Sequence, residues 1–148
     1  MSGVSGLISQ IIAGKGKDVW SISPDVTVYE AIEMMAEKKA GALPVMQGRK
    51  LVGMISERDY TRKVILQGKA SKKTAVKEIM SVEPDTLKPG DTVDTALRIM
   101  TDKRVRHLPV INHGWVVGIV SIGDLVKWVI SAQQSQIQEM ESYISGGY

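Results

Sequence analysis

The chain has 148 residues, 43% hydrophobic and 24% charged, with a formal net charge of +3; these are the proportions of a globular protein with room for one core or two small interlocked ones. It holds no cysteine and two histidines, which excludes disulfides, thiolate metal sites and a cysteine nucleophile and leaves a zinc site without its usual ligands. No apolar run approaches the roughly 20 residues of a membrane span, and residues 1–14 lack the basic start and apolar stretch of a secretory signal, so the expected compartment is cytoplasmic.

In chain order, Leu7, Ile8, Ile11 and Ile12 form an apolar stripe that predicts a short N-terminal helix before Gly14-Lys15-Gly16, a stretch too short to cradle a phosphate. A short strand is expected at Val19–Ile22. Val28, Ala31, Ile32, Met35 and Ala36 then recur at helical spacing, with Asp25 or Thr27 as the cap. Two β-rich runs, Ala42–Met46 and Leu51–Ile55, flank Gln47-Gly48-Arg49-Lys50 and read as a hairpin. A second helix should start near Ser56. The following polar stretch includes Lys69-Ala70-Ser71-Lys72-Lys73; without interleaved aromatics it reads as a solvated linker rather than a nucleic-acid contact. Val76–Met80 has the pattern of a short helical turn.

The same order then returns. A strand at Thr86–Lys88 leads to a helix carrying Val93, Ala96, Leu97 and Met100, capped by Asp91 or Thr92. A hairpin, His107–Ile111 and Trp115–Val120 around Asn112-His113-Gly114, leads to a helix from Ser121. Sliding the chain by 65 residues aligns Pro24–Ile65 with Pro89–Ile130 without a gap, matching Leu43-Pro44-Val45 to Leu108-Pro109-Val110 and Val52-Gly53 to Val117-Gly118. Glycine, proline and apolar positions stay in one register, so the unit is duplicated. Beyond it, Val126, Val129, Ile130, Ile137, Met140 and Ile144 prolong the last helix. Its apolar face should pack on the N-terminal helix or on another subunit.

Each repeat also carries Ser-x-x-Asp at the passage from strand to helix, Ser56 with Asp59 and Ser121 with Asp124. A capping box explains this pattern by itself. The same groups also suit a nucleotide: a carboxylate accepts hydrogen bonds from ribose hydroxyls, and first-turn N–H groups favour phosphate. The copies differ nearby. Repeat 1 adds Arg58, able to grip phosphate through paired hydrogen bonds, where repeat 2 has Gly123. Before the Leu-Pro-Val strand, repeat 2 offers Arg106-His107 where repeat 1 has Gly41-Ala42.

These motifs, Leu-Pro-Val followed by Val-Gly-Met/Ile-Ile/Val-Ser-x-x-Asp and written twice, resemble a tandem pair of CBS domains, the family named for cystathionine β-synthase. The resemblance covers about residues 19–130 and extends to stand-alone bacterial CBS-pair proteins. It implies an α+β (α/β) fold of two βαββα units packed by pseudo-twofold symmetry, a Bateman module, with extra N- and C-terminal helices. The expected segments are 1–16 (helix), 17–66 (repeat 1), 67–80 (linker and short helix), 81–131 (repeat 2) and 132–148 (helix extension). It further implies a homodimer and clefts for an adenosine-containing ligand: AMP, ATP, NAD or S-adenosylmethionine.

In related modules, residues preceding the proline of one repeat can reach the nucleotide whose ribose the other repeat's aspartate holds. Carried over, Ser56, Arg58, Asp59, Arg106 and His107 would converge on one anion-binding site, and Pro109 is counted among the ligand-binding residues. Ser121 and Asp124, with Gly41 and Ala42, would form a charge-poor second one. If contacts instead stay within a repeat, the cations are split between two sites. Trp20, Trp115 and Trp128 are read as packing residues before adenine platforms. Neither catalytic residues nor a metal site is expected, since no nucleophile elbow, Walker-type loop or ligand cluster occurs. The expected function is an adenine-nucleotide sensor acting on an unidentified protein in trans, without nucleic acid or membrane. The alternatives are a ligand-independent dimerisation or interaction module and, more remotely, a nucleotide hydrolase using Asp59 as base.

Overall fold

The computed structural model describes residues 6–16 and 18–146. Residues 1–5, 17 and 147–148, which fall within the expected segments 1–16, 17–66 and 132–148, lie outside the described residues. Helices and strands are mixed, in the order α1 (Ile8–Lys15), α2 (Val28–Lys38), β1 (Ala42–Gln47), β2 (Lys50–Ser56), α3 (Glu57–Tyr60), α4 (Val76–Ile79), β3 (Ser81–Val82), α5 (Val93–Lys103), β4 (His107–Asn112), β5 (Trp115–Ser121) and α6 (Ile122–Gly146). A π-helical turn, Thr61–Ile65, continues α3.

The two hairpins share one register. Leu43 faces Ile55 and Val45 faces Gly53 in the first, as Leu108 faces Val120 and Val110 faces Gly118 in the second, each with an irregularity directly after the valine. The strands run slightly further than expected and leave two-residue turns, with φ of 62° at Gly48, 51° at His113 and 82° at Gly114; a positive φ suits the twist of a hairpin. β3 adds a short third strand beside β2.

The strands expected at Val19–Ile22 and Thr86–Lys88 shrink to single parallel bridges, Ile22 to Val45 and Leu87 to Val110. Pro24 and Pro89 follow two residues later and lack the N–H that a longer ladder would need. Of the two candidate caps in each repeat, the threonines act: Thr27 Oγ1 accepts from the Glu30 N–H and Thr92 Oγ1 from the Thr95 N–H.

Each unit has its own apolar core. Val28, Met35, Leu43, Val45 and Ile55 build the first, and Val93, Met100, Leu108, Val110 and Val120 the second. Two helices change places between them. Val76 and Ile79 of α4, just ahead of repeat 2, are buried in the core of repeat 1; Ile8 and Ile11 of α1, ahead of repeat 1, are buried in the core of repeat 2.

Backbone hydrogen bonds repeat the exchange. Val76 and Lys77 N–H donate to the carbonyls of Val26 and Pro24 at 2.8 and 2.9 Å, and Ile8 and Ser9 N–H donate to those of Asp91 and Pro89 at 2.9 Å. The glycines of β2 and β5 make room for this. A Cβ on Gly53 would lie 2.6 Å from Met80 Sδ and 2.7 Å from Ser81 O, and one on Gly118 would collide with Ile12 Cδ1.

At the start of α6, Leu125 is buried and Trp128 and Val129 pack on the second core beside Ile8, Ile11 and Ile12, the contact with α1 expected from the apolar stripe. Further along, Ile130, Ile137, Met140, Tyr143 and Ile144 are exposed. Among the described residues no helix is long and apolar enough to cross a membrane.

Candidate functional site

Ser-x-x-Asp forms a capping box in both repeats. Ser56 N–H donates to Asp59 Oδ2 at 2.9 Å, and Asp59 N–H donates to Ser56 Oγ at 3.2 Å. In repeat 2, Ser121 N–H donates to Asp124 Oδ2 at 2.8 Å and Asp124 N–H to Ser121 Oγ at 3.1 Å. The reciprocal bonds satisfy first-turn donors and fix each carboxylate at the mouth of a cleft.

A first cleft of about 640 Å³ is lined by Ser56, Arg58 and Asp59 from repeat 1 together with Arg106 and His107 from repeat 2; Gly41, Ala42 and Leu108 line it too. Of the expected residues, the cations and the first carboxylate therefore meet across the repeats rather than separating. Pro109 is not among the lining residues; it is buried in β4. Arg58 Nη1 donates to the carbonyl of Arg104 at 3.3 Å, which holds its guanidinium against the far wall. Lys63 Nζ lies 3.1 Å from Asp59 Oδ1 and donates to the Ile79 carbonyl at 2.9 Å.

A second cleft of about 460 Å³ brings Ser121 and Asp124 together with Gly41, Ala42 and again His107. It is not poor in charge, contrary to expectation. Lys15, Lys38 and Lys39 line it, the first delivered by the exchanged helix α1, which a comparison confined to the repeats omits. Lys15 Nζ lies 2.7 Å from Asp124 Oδ2 and donates to the Ile119 carbonyl at 2.7 Å. Burial pushes the Asp124 carboxyl up, but the Lys15 hydrogen bond and charge and the bonds from Ser121 outweigh it and hold it below the ordinary range.

His107 stands between the clefts. A Cβ on Gly41 would lie 3.0 Å from its Nε2, so the absence of a side chain at Gly41 is what admits the imidazole. Burial lowers its pKa, Lys15 adds to the lowering, Asp124 opposes it and Arg106 lowers it further. The neutral imidazole is thereby favoured, and in that form one ring nitrogen donates and the other accepts.

Sequence reasoning missed much of the basic lining: Arg62, Lys63, Lys103 and Arg104 in the first cleft, and Lys15, Lys38 and Lys39 in the second. The repeat carried part of this signal, since Lys38-Lys39 and Lys103-Arg104 occupy the same place in the two copies. Lys39 and Arg104 both sit at φ 55° as left-handed helix caps, where glycine is easier. Two tryptophans also depart from expectation. Trp128 packs, but Trp20 and Trp115 are 42% and 51% exposed, covered by Lys38 and Arg49 at 4.0 Å from the ring centres. Among the described residues no group of three or more His, Asp or Glu side chains is placed to hold a metal ion.

Comparison with known families gives a match to the CBS domain over residues 12–65 and again over 76–131. The chain belongs to the CBS domain family. It is 41% identical over 154 aligned residues to the mitochondrial CBS domain-containing protein CBSX3 of Arabidopsis thaliana, covering 97% of this chain and 74% of that one. Among solved structures, a putative signal-transduction protein with CBS domains from Burkholderia ambifaria is 42% identical with a TM-score of 0.82, covering 85% of this chain and 95% of the other. A CBS domain protein from Pyrobaculum aerophilum complexed with AMP is 26% identical with a TM-score of 0.72, covering 80% and 89%. The paired-unit CBS architecture, with α and β elements mixed in each unit, is thus that of known CBS-domain structures.

Proposed function

We propose that this CBS pair is a regulatory module that binds an adenine nucleotide and signals its presence to a partner protein in trans, rather than an enzyme. The observation that carries this reading is the first cleft, where Asp59 and Arg58 of one repeat face Arg106 and His107 of the other. Asp59 would take the ribose hydroxyls, with Ser56 holding the carboxylate in place. Arg58 and Arg106 would grip phosphate, and Gly41 and Ala42 leave space for the nucleoside. The second cleft, with Asp124 and Ser121, would be the weaker site. The AMP seen in the Pyrobaculum aerophilum relative supports AMP as the first ligand to try, followed by ATP, NAD and S-adenosylmethionine.

The functional unit of this reading is a cytoplasmic homodimer acting without nucleic acid or membrane. The exposed stripe of Ile130, Ile137 and Ile144, spaced by seven residues with Met140 between the last two, is the seam by which α6 would pair with a second copy. Residues 17–66 and 81–131 are the two repeats, joined by 67–80, although α4 within that linker belongs to the first core. The same stripe also favours the rival reading, an interaction module that needs no ligand.

Calorimetric titration decides between them. The wild type should give saturable heat with at least one of the four ligands, Asp59→Ala should lose it, and Asp124→Ala should keep most of it. Absence of heat with all four at millimolar concentration favours the ligand-free module, and loss confined to Asp124→Ala reverses the order of the clefts.

A further inference from the structure

Both clefts present their ribose-facing carboxylate already paired with a lysine, and the two lysines come from unrelated places. Lys63 lies four residues after Asp59 on the same helical stretch, and the residue equivalent to it in repeat 2 is Trp128. Lys15 lies on the exchanged helix α1; the chain that follows α4 at the matching distance places Glu83 there, on the rim of the first cleft. Duplication therefore did not copy this pair from one unit to the other. An aspartate–lysine pair has been reached twice by different routes.

The second ends of these lysines share a further property. Each ammonium group also donates to a backbone carbonyl: Lys63 to Ile79, the last residue of α4, and Lys15 to Ile119 in β5. In the first unit the chain of contacts runs from Asp59 through Lys63 to α4; in the second it runs from Asp124 through Lys15 back into α1. In both, the carboxylate is tied to the helix that the chain has exchanged between units. We propose that Lys63 and Lys15 are positioning residues that couple each cleft to its exchanged helix. A ribose that takes the carboxylate weakens the lysine pair and loosens α4 from the first cleft, or α1 from the second.

The coupling rests on the nucleotide reading and adds the route by which occupancy reaches the surface. Lys63 and Lys15 are 43% and 40% exposed, and their partners Asp59 and Asp124 are 15% and 19% exposed. Such half-exposed pairs are weak enough to be exchanged for a ligand without unfolding the unit. The helices they reach are anchored mainly by apolar side chains, Ile8 and Ile11 or Val76 and Ile79. Loss of the latch should therefore free their cleft-side ends while the buried residues hold.

Hydrogen exchange read by mass spectrometry, with AMP as the probe and calorimetry run alongside, tests this. In the ligand-free protein, Lys15→Met should speed exchange over residues 8–16, and Lys63→Met over 76–80, by about two- to fivefold, the range expected for losing one exposed ion pair. Lys15→Arg and Lys63→Arg should leave both segments close to wild type, which separates charge from packing. AMP at saturation should speed exchange in the wild-type helix of whichever cleft it fills and add nothing in the matching Met variant. Unchanged exchange in both Met variants, or AMP heat without any response in either helix, overturns the coupling and leaves nucleotide binding intact. Absence of AMP heat in the wild type overturns nucleotide coupling together with AMP binding.

Discussion

A neutral imidazole fits the corner between Gly41, Lys15 and Arg106; burial and the two cations outweigh the Asp124 charge that favours a protonated one. Because the folded pKa of His107 lies below that of the unfolded chain, the unfolded state binds the proton first as pH falls. Above about pH 6.5, the ordinary histidine value, both states are neutral and the group has no effect on stability. Below it, stability is lost progressively until the folded pKa is passed. Asp124 acts in the same direction at lower pH: its depressed folded pKa stabilises the fold above about pH 3.9 and gives that up as the carboxylate is protonated. Thermal melts from pH 7.5 down to 5.5 should therefore show a loss of melting temperature that His107→Gln reduces; a variant with the wild-type slope would contradict the assignment to His107.

The exchange of α1 and α4 is the main element-scale finding, and it explains a pair of residues that the sequence marks without explaining. Val-Gly recurs at Val52-Gly53 and Val117-Gly118 because Met80 and Ile12 press onto the strand at those glycines. A side chain there has to push aside the Ile12 side chain in one unit and Met80 with the Ser81 carbonyl in the other, an overpacking that costs about 1–3 kcal/mol. Chemical denaturation should show Gly53→Val and Gly118→Val destabilised by that amount, with Gly53→Val the worse, since the Ser81 carbonyl also crowds its Cβ position. Equal stability of both variants and the wild type would refute the packing.

The helices and hairpins of each repeat were legible from periodicity and turn residues such as Gly48 and Gly114. The exchange was not. Gly6–Ile12 matches Thr74–Met80 at an offset of 68 residues, whereas the repeat proper runs at 65, and only Ile8 with Val76 and Ile11 with Ile79 show the kinship plainly.

For the whole molecule, asymmetry between the clefts follows from residues that do not repeat, Arg58 against Gly123 and Arg106-His107 against Gly41-Ala42, brought together where the two units face one another. The Ser and Asp positions were readable because they repeat, and Arg58 because it does not. The meeting of Arg58 with Arg106 depends on a contact between units that no local pattern encodes. Six cationic side chains (Arg58, Arg62, Lys63, Lys103, Arg104 and Arg106) and four acidic ones (Glu57, Asp59, Glu83 and Asp85) line the first cleft. Three lysines and two aspartates line the second.

The first is also the one with an arginine from each repeat, so phosphate should be held there by charge-assisted hydrogen bonds, worth about 1.5–3 kcal/mol each. Comparing AMP with adenosine by calorimetry isolates that contribution. AMP should bind wild type about tenfold or more tightly than adenosine, and the double variant Arg58→Ala/Arg106→Ala should bring the two ligands to similar affinity. Equal affinities in the wild type, or an AMP preference that survives in the double variant, would contradict the claim that the first cleft is the phosphate site.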